Sequence, residues 1–138
     1  MNVFVDTNVL LDVLMERQPF AADSKRIWFL AETGRIKAHV SAISFNNIYY
    51  IVRKMRGTQA AVAVMRMLRD TFAVVACDER VILQSIDARF EDFEDAIQFF
   101  SALHCRASCL VTRNPDHFPP SDPPALSPAE FLATHLFD

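Results

Sequence analysis

Glycine is nearly missing from this chain of 138 residues: only Gly34 and Gly57 occur. Two glycines 23 positions apart cannot write the G-x-G-x-x-G dinucleotide fingerprint, the P-loop or the G-x-S-x-G nucleophile elbow. The scarcity suits a helix-rich fold, because glycine destabilises helix interiors. Cysteine is sparse too. Cys77, Cys105 and Cys109 are odd in number and make no C-x-x-C pair, which excludes a disulfide framework and a cysteine zinc site; all three read as reduced thiols in or near the core. No apolar run approaches the ~20 residues of a membrane span, and Met1-Asn2 leads straight into a strand-like run without a basic leader. A cytoplasmic protein with no membrane partner is expected.

Excess charge of one sign is also lacking. The net charge of −3 excludes nucleic-acid binding by bulk positive charge alone. The distribution is uneven, however. Arg53, Lys54, Arg56, Arg66 and Arg69 form a basic stretch, and seven acids fall between Asp78 and Asp95. Eleven of the fourteen basic residues are arginine, whose planar fork suits phosphate. The basic stretch reads either as a solvated face or as a phosphate track.

Apolar residues make up 51% of the chain, enough for one domain spanning 1–138. Val3–Val5, Lys37–Val40, Phe72–Ala76 and Ser108–Val111 read as short buried strands. Helical patterns lie between them: Asn8–Met15, Phe20–Thr33 closed by Gly34, a helix capped by Ser41 or Ser44 and running to Arg56, one capped by Thr58, Glu79–Ala88 and Phe93–His104. Four of the seven prolines lie between Pro119 and Pro124 and mark an extended loop. Ser127-Pro128-Ala129-Glu130 then opens a last helix to about Leu136 with a capping box. Strands alternating with helices predict an α/β fold with a mostly parallel sheet of four or five short strands.

Ligands bind beyond the carboxyl ends of such strands. Asp6 follows the first strand, Asp116 lies five residues past Val111, and Asp95 sits in the first turn of the helix that feeds the last clear strand. Carboxylates gathered at one sheet edge repel one another and stay ionised together only around a cation. Oxygen ligands of this kind select Mg²⁺ or Mn²⁺ over zinc. The competing reading makes Asp6 a helix cap, Asp95 a carboxylate facing its helix dipole and Asp116 a turn residue.

Three segments carry a family resemblance. Val5-Asp6-Thr7-Asn8-Val9-Leu10-Leu11-Asp12, Asp92-Phe93-Glu94-Asp95-Ala96 and Thr112-Arg113-Asn114-Pro115-Asp116-His117-Phe118 resemble, in order and spacing, the motifs of PIN domains. The resemblance implies a three-layer α/β/α fold and a metal-dependent ribonuclease, commonly the VapC-like toxin of a toxin–antitoxin pair. It implies Asp6, Asp95 and Asp116 as metal ligands for Mg²⁺ or Mn²⁺, with Thr7, Asn8, Thr112, Arg113 and Asn114 supporting the site or the phosphate. It also implies an RNA substrate, a small antitoxin and a homodimer. The family usually carries a glutamate on the helix after the second strand, and Asn47 stands in its place. Asn47 is therefore a candidate catalytic residue that brings no charge. Glu94, Asp92 and Asp12 are the acids left to compensate, and restoring the acid by Asn47→Glu is expected to tighten metal binding. Two other readings also fit the sequence. One is a PIN-like fold that binds RNA or protein with little catalysis. The other is a phosphatase using Asp6 as nucleophile, which the amide of Asn8, where a second acid is needed, disfavours.

Overall fold

The computed structural model describes residues 1–135. Five strands form one wholly parallel sheet in the order β3-β2-β1-β4-β5: β1 is Asn2–Val5, β2 Lys37–Ser41, β3 Ala73–Val75, β4 Cys109–Val111 and β5 Ala125–Leu126. The helices are α1 (Thr7–Leu14), α2 (Ala21–Glu32), α3 (Ala42–Arg56), α4 (Thr58–Thr71), α5 (Glu79–Asp87), α6 (Phe93–His104) and α7 (Pro128–Thr134), with a 3₁₀ turn at Pro115–His117. This is the expected three-layer arrangement. β5, which follows the proline loop, is the fifth strand that the sequence left open. The end of the last helix at Leu136 lies outside the described residues.

The period of two along each strand divides the core into two layers. Val3 and Val5 of β1, with Cys109 and Val111 of β4, pack on one face with Leu10, Ile27, Trp28, Ile48, Leu68 and Phe131. Phe4 and Leu110 face the other way, onto Phe99, Ala102 and Phe118. Phe4 pairs with Leu110 in the parallel register, so both central strands present a large residue to the same layer. Trp28 meets Phe72 edge-on at 5.1 Å and is a core residue.

Most local signals behave as their chemistry requires. Ser41 caps α3 by accepting from the Ile43 N–H, and Ser127 and Glu130 close the capping box of α7. Gly34 and Gly57 both have positive φ, 74° and 89°, which only glycine adopts without strain. Thr58 does not cap α4: Gly57 occupies the cap position, Thr58 is the first helical residue, and no side-chain cap bond forms. The tight α3–α4 connection needs the unusual backbone of Gly57, and that shifts the helix start by one residue. All three cysteines are free, with Cys109 buried and Cys77 and Cys105 half-buried.

β2 lies on one side of β1 and β4 on the other. Chain direction away from β1 therefore reverses between β1 and β4, and this crevice at their carboxyl ends is where a parallel sheet receives ligands. Asp6 and Thr112 terminate these two strands, and the Asp6 N–H donates to the Val111 carbonyl at 2.9 Å.

Candidate functional site

Asp6 occupies the N-cap position of α1 without acting as its side-chain cap. Its carboxylate Oδ2 instead accepts from the Thr112 hydroxyl at 2.9 Å. Thr112, wholly buried at the end of β4, also accepts from Asn8 Nδ2 at 3.5 Å and from the Asn114 backbone N–H at 3.2 Å. Asn8 Oδ1 accepts from the Arg113 backbone N–H. The ends of β1 and β4 are thus cross-linked through Asp6, Asn8 and Thr112, and Asn114 joins through its main chain.

Thr7 turns inward. Its hydroxyl shares a 2.6 Å hydrogen bond with Ser44 on α3, and Gln98 Nε2 on α6 lies 3.2 Å from Ser44 Oγ and 3.4 Å from Thr7 Oγ1. This buried group ties α1, α3 and α6 together, with Thr7 next to Asp6 and Gln98 three residues after Asp95. Sequence reasoning missed Ser44 and Gln98 as parts of the site. The signal was present in Gln98, a polar residue three positions after Asp95 inside the apolar run Ala96-Ile97-Gln98-Phe99.

Asp6, Asn47, Glu94 and Asp95 line one cavity of about 500 Å³, with Asp92 at its edge and Leu11, Tyr50 and Ile51 along its wall. Asn47 comes from α3, whose Tyr50 and Ile51 follow at helical spacing on the same side. The Asn47 amide donates to Glu94 Oε1 at 3.0 Å. Asp95 is placed by the start of α6, where Asp92 caps the helix by accepting from the Asp95 N–H. Asp116 is exposed on the 3₁₀ turn and lines an adjoining cleft with Arg89, His117, Asp92 and Asp95. Asp92 and Asp95 border both spaces, whereas Asp116 lines the adjoining cleft and not the cavity that holds Asp6. His117 Nδ1 is 3.5 Å from Asp95 Oδ2. Among the described residues, no three acids, histidines or cysteines close on a common point as a ready metal cage. The acids line an open cleft.

Arg113 supports the site through its backbone, while its side chain is engaged elsewhere. Its Nη2 lies 3.0 Å from Oδ1 of the fully buried Asp12, and its guanidinium stacks 4.5 Å from the Phe20 ring centroid. Arg17 also approaches Asp12, at 3.8 Å. Asp12 is therefore committed to an ion pair, which leaves Glu94 and Asp92 as the extra acids in the cavity.

Electrostatics single out Asp6. Burial pushes its carboxyl up to about 7, opposed by the Thr112 hydrogen bond and reinforced by the charge of Asp95. Burial likewise raises Asp95, as does Asp92, while His117 counters. A carboxylate only 5% exposed, with no cationic partner among the described residues and facing other acids, is satisfied by a hard divalent cation. The all-oxygen donor set fits such an ion, with Asp6 and Asp95 in the cavity and Asp116 beside it.

A family model described as "PIN domain" matches residues 2–116. Among solved structures, the fold is similar to that of a toxin–antitoxin complex from Klebsiella pneumoniae, with 21% identity, 91% of this chain and 97% of that one covered, and a TM-score of 0.67. VapBC-1 from nontypeable Haemophilus influenzae is similar at 17% identity, with coverages of 94% and 99% and a TM-score of 0.69. Mycobacterium tuberculosis VapC20, a sarcin-ricin loop cleaving toxin, is similar at 18% identity, with coverages of 78% and 86% and a TM-score of 0.62. No curated protein matches the sequence. Among the described residues, no helix is long and apolar enough to cross a membrane.

Proposed function

The chain belongs to the PIN-domain family, and we propose that it is a divalent-metal-dependent endoribonuclease, the toxin of a toxin–antitoxin pair. The observation that carries this reading is Asp6, a buried carboxylate at the β1–β4 crevice that faces Asp95 with no basic side chain among the described residues to balance it. In this reading Asp6, Asp95 and Asp116 hold Mg²⁺ or Mn²⁺. A bound ion of this kind lowers the pKa of water and offsets charge growing on phosphate oxygens. The chain's own residues provide the positioning. Thr112 fixes one oxygen of Asp6, Asn8 locks the two strand ends together, and the buried Thr7–Ser44–Gln98 group holds the helix that presents Asp95.

The similar toxin structures support an antitoxin partner. By family resemblance the protein acts as a cytoplasmic homodimer. Cleavage of a structured RNA tests the central claim. Wild-type protein should cut in Mn²⁺ or Mg²⁺ and stop in EDTA, and Asp95→Asn should abolish cutting while leaving the fold intact by circular dichroism. Cutting that persists in EDTA would refute the metal-dependent reading. RNA binding without cleavage by the wild type would favour the binding-module alternative, which the neutral Asn47 motivates.

The basic stretch meets this cleft through Arg53. Arg53 lies 5.8 Å over the ring of Tyr50, which lines the cavity, and Arg66 and Arg69 are exposed on α4 against α3. Arg69 contacts Asp70 at the surface, a pairing worth little, so it is free to meet phosphate. Arg66→Ala with Arg69→Ala should weaken RNA binding and flatten its salt dependence by up to roughly two phosphate contacts. Single-turnover cleavage at saturating RNA should be retained. An unchanged salt slope would assign these arginines to a solvated face.

A further inference from the structure

We propose that Glu94 supplies the fourth carboxylate of the cleft and that Asn47, in the position of the usual acid, is the residue that holds it there. This rests on the metal-site reading above and deepens it. The two residues are 47 positions apart and belong to different helices, yet the Asn47 amide donates to Glu94 Oε1 at 3.0 Å and both line the cavity with Asp6 and Asp95. Glu94 is the second residue of α6, where the helix dipole alone would tolerate an acid pointing into solvent. Instead it is half-buried and turned toward α3. It is close enough to the other acids that its charge opposes ionisation of both Asp6 and Asp95.

The chemistry of the amide explains the exchange. Asparagine donates through its NH₂ and can orient a carboxylate, whereas an ionised glutamate only accepts. A glutamate at position 47 would lose the donor and set two carboxylates against each other. The charge has moved from α3 to α6, and the α3 residue has become its support. Asn47→Glu alone is therefore expected not to tighten metal binding, contrary to what the sequence by itself suggests.

Titration calorimetry with Mn²⁺ on the intact protein tests this, with thermal unfolding in the same buffers as a second readout. Glu94→Gln, which keeps an acceptor for Asn47, should weaken Mn²⁺ binding about tenfold or more without lowering metal-free stability. Combining Asn47→Glu with Glu94→Gln returns the charge to α3 and should bring Mn²⁺ affinity back to within about threefold of wild type. Wild-type affinity in Glu94→Gln, or a double variant that binds no better than Glu94→Gln, would overturn the proposal while leaving the metal site standing, provided Asp6→Asn still abolishes binding. A wild type that takes up no Mn²⁺ would overturn both.

Discussion

Asp6→Asn is expected to stabilise the metal-free protein at pH 8 and to make it blind to metal. The first effect follows from the raised carboxyl of Asp6, near 7 in the folded chain against 3.8 in the unfolded one. A group raised on folding favours the folded state fully only below its unfolded value, and that contribution is lost as pH rises through the folded value. Metal-free wild type should therefore lose stability between about pH 4 and 7, by at most ~4 kcal/mol. Burial and repulsion from Asp95 are the causes, and a neutral amide removes both while still accepting from Thr112. His39, lowered by burial and by Lys37, acts in the opposite sense, so the comparison belongs between variant and wild type at each pH. The second effect follows from mass action. Metal at a hundred times its dissociation constant adds ~2.7 kcal/mol, a rise in Tm on the order of 10 °C for a chain of this size. Asp6→Asn should abolish that rise along with RNA cleavage. Melting curves across pH 5–8, with EDTA and with Mn²⁺, check both effects. If the wild type unfolds identically in both, the cleft does not bind metal.

Arg113→Ala is expected to destabilise the fold by at most about 3–5 kcal/mol, the range for breaking a buried ion pair by removing one partner, because Arg113 is only half-buried and Arg17 stays 3.8 Å from Asp12. Asp12 is wholly buried, and Arg113 is its nearest cation, 3.0 Å away. Burial already raises the Asp12 carboxyl against the pull of Arg113 and Arg17. Without Arg113 it should rise further, so the deficit should be largest at neutral and alkaline pH and shrink toward pH 4 as the buried group takes up a proton. Urea denaturation at pH 5 and pH 8 measures this. Arg113→Ala combined with Asp12→Asn should recover part of the loss by removing the stranded charge. A loss equal at both pH values, with no recovery in the double variant, would assign the effect to the Phe20 stacking.

The same ion pair bears on the site. Arg113 immediately follows Thr112, and Asn8 holds its backbone N–H. Its side chain reaches back to α1 and fixes the strand end on which Asp6 depends. A residue that the family resemblance assigns to support of the site or phosphate thus gives support through the fold.

The sequence by itself determined the alternation of strands and helices and the parallel sheet, and it pointed to Asp6 and Asp95, which line one cavity. Those features rest on local signals: apolar runs, capping residues, and carboxylates placed where strands end. It showed that Asn47 departs from the family pattern. It left open whether Asp92, Glu94 or Asp12 makes up the charge, because all three sit beside motif residues. The tertiary structure removes Asp12 from the set and gives Glu94 a partner on α3. Asp12 shares a helix with Asn8 and Leu11 but faces the half-buried guanidinium of Arg113, whereas Glu94, on a different helix from Asn47, meets its amide. Thr7 likewise reads as a supporting residue, yet its partners Ser44 and Gln98 come from two other helices. Helical periodicity fixes which side of its own helix a residue occupies. What that side faces depends on how helices from distant segments pack around the sheet.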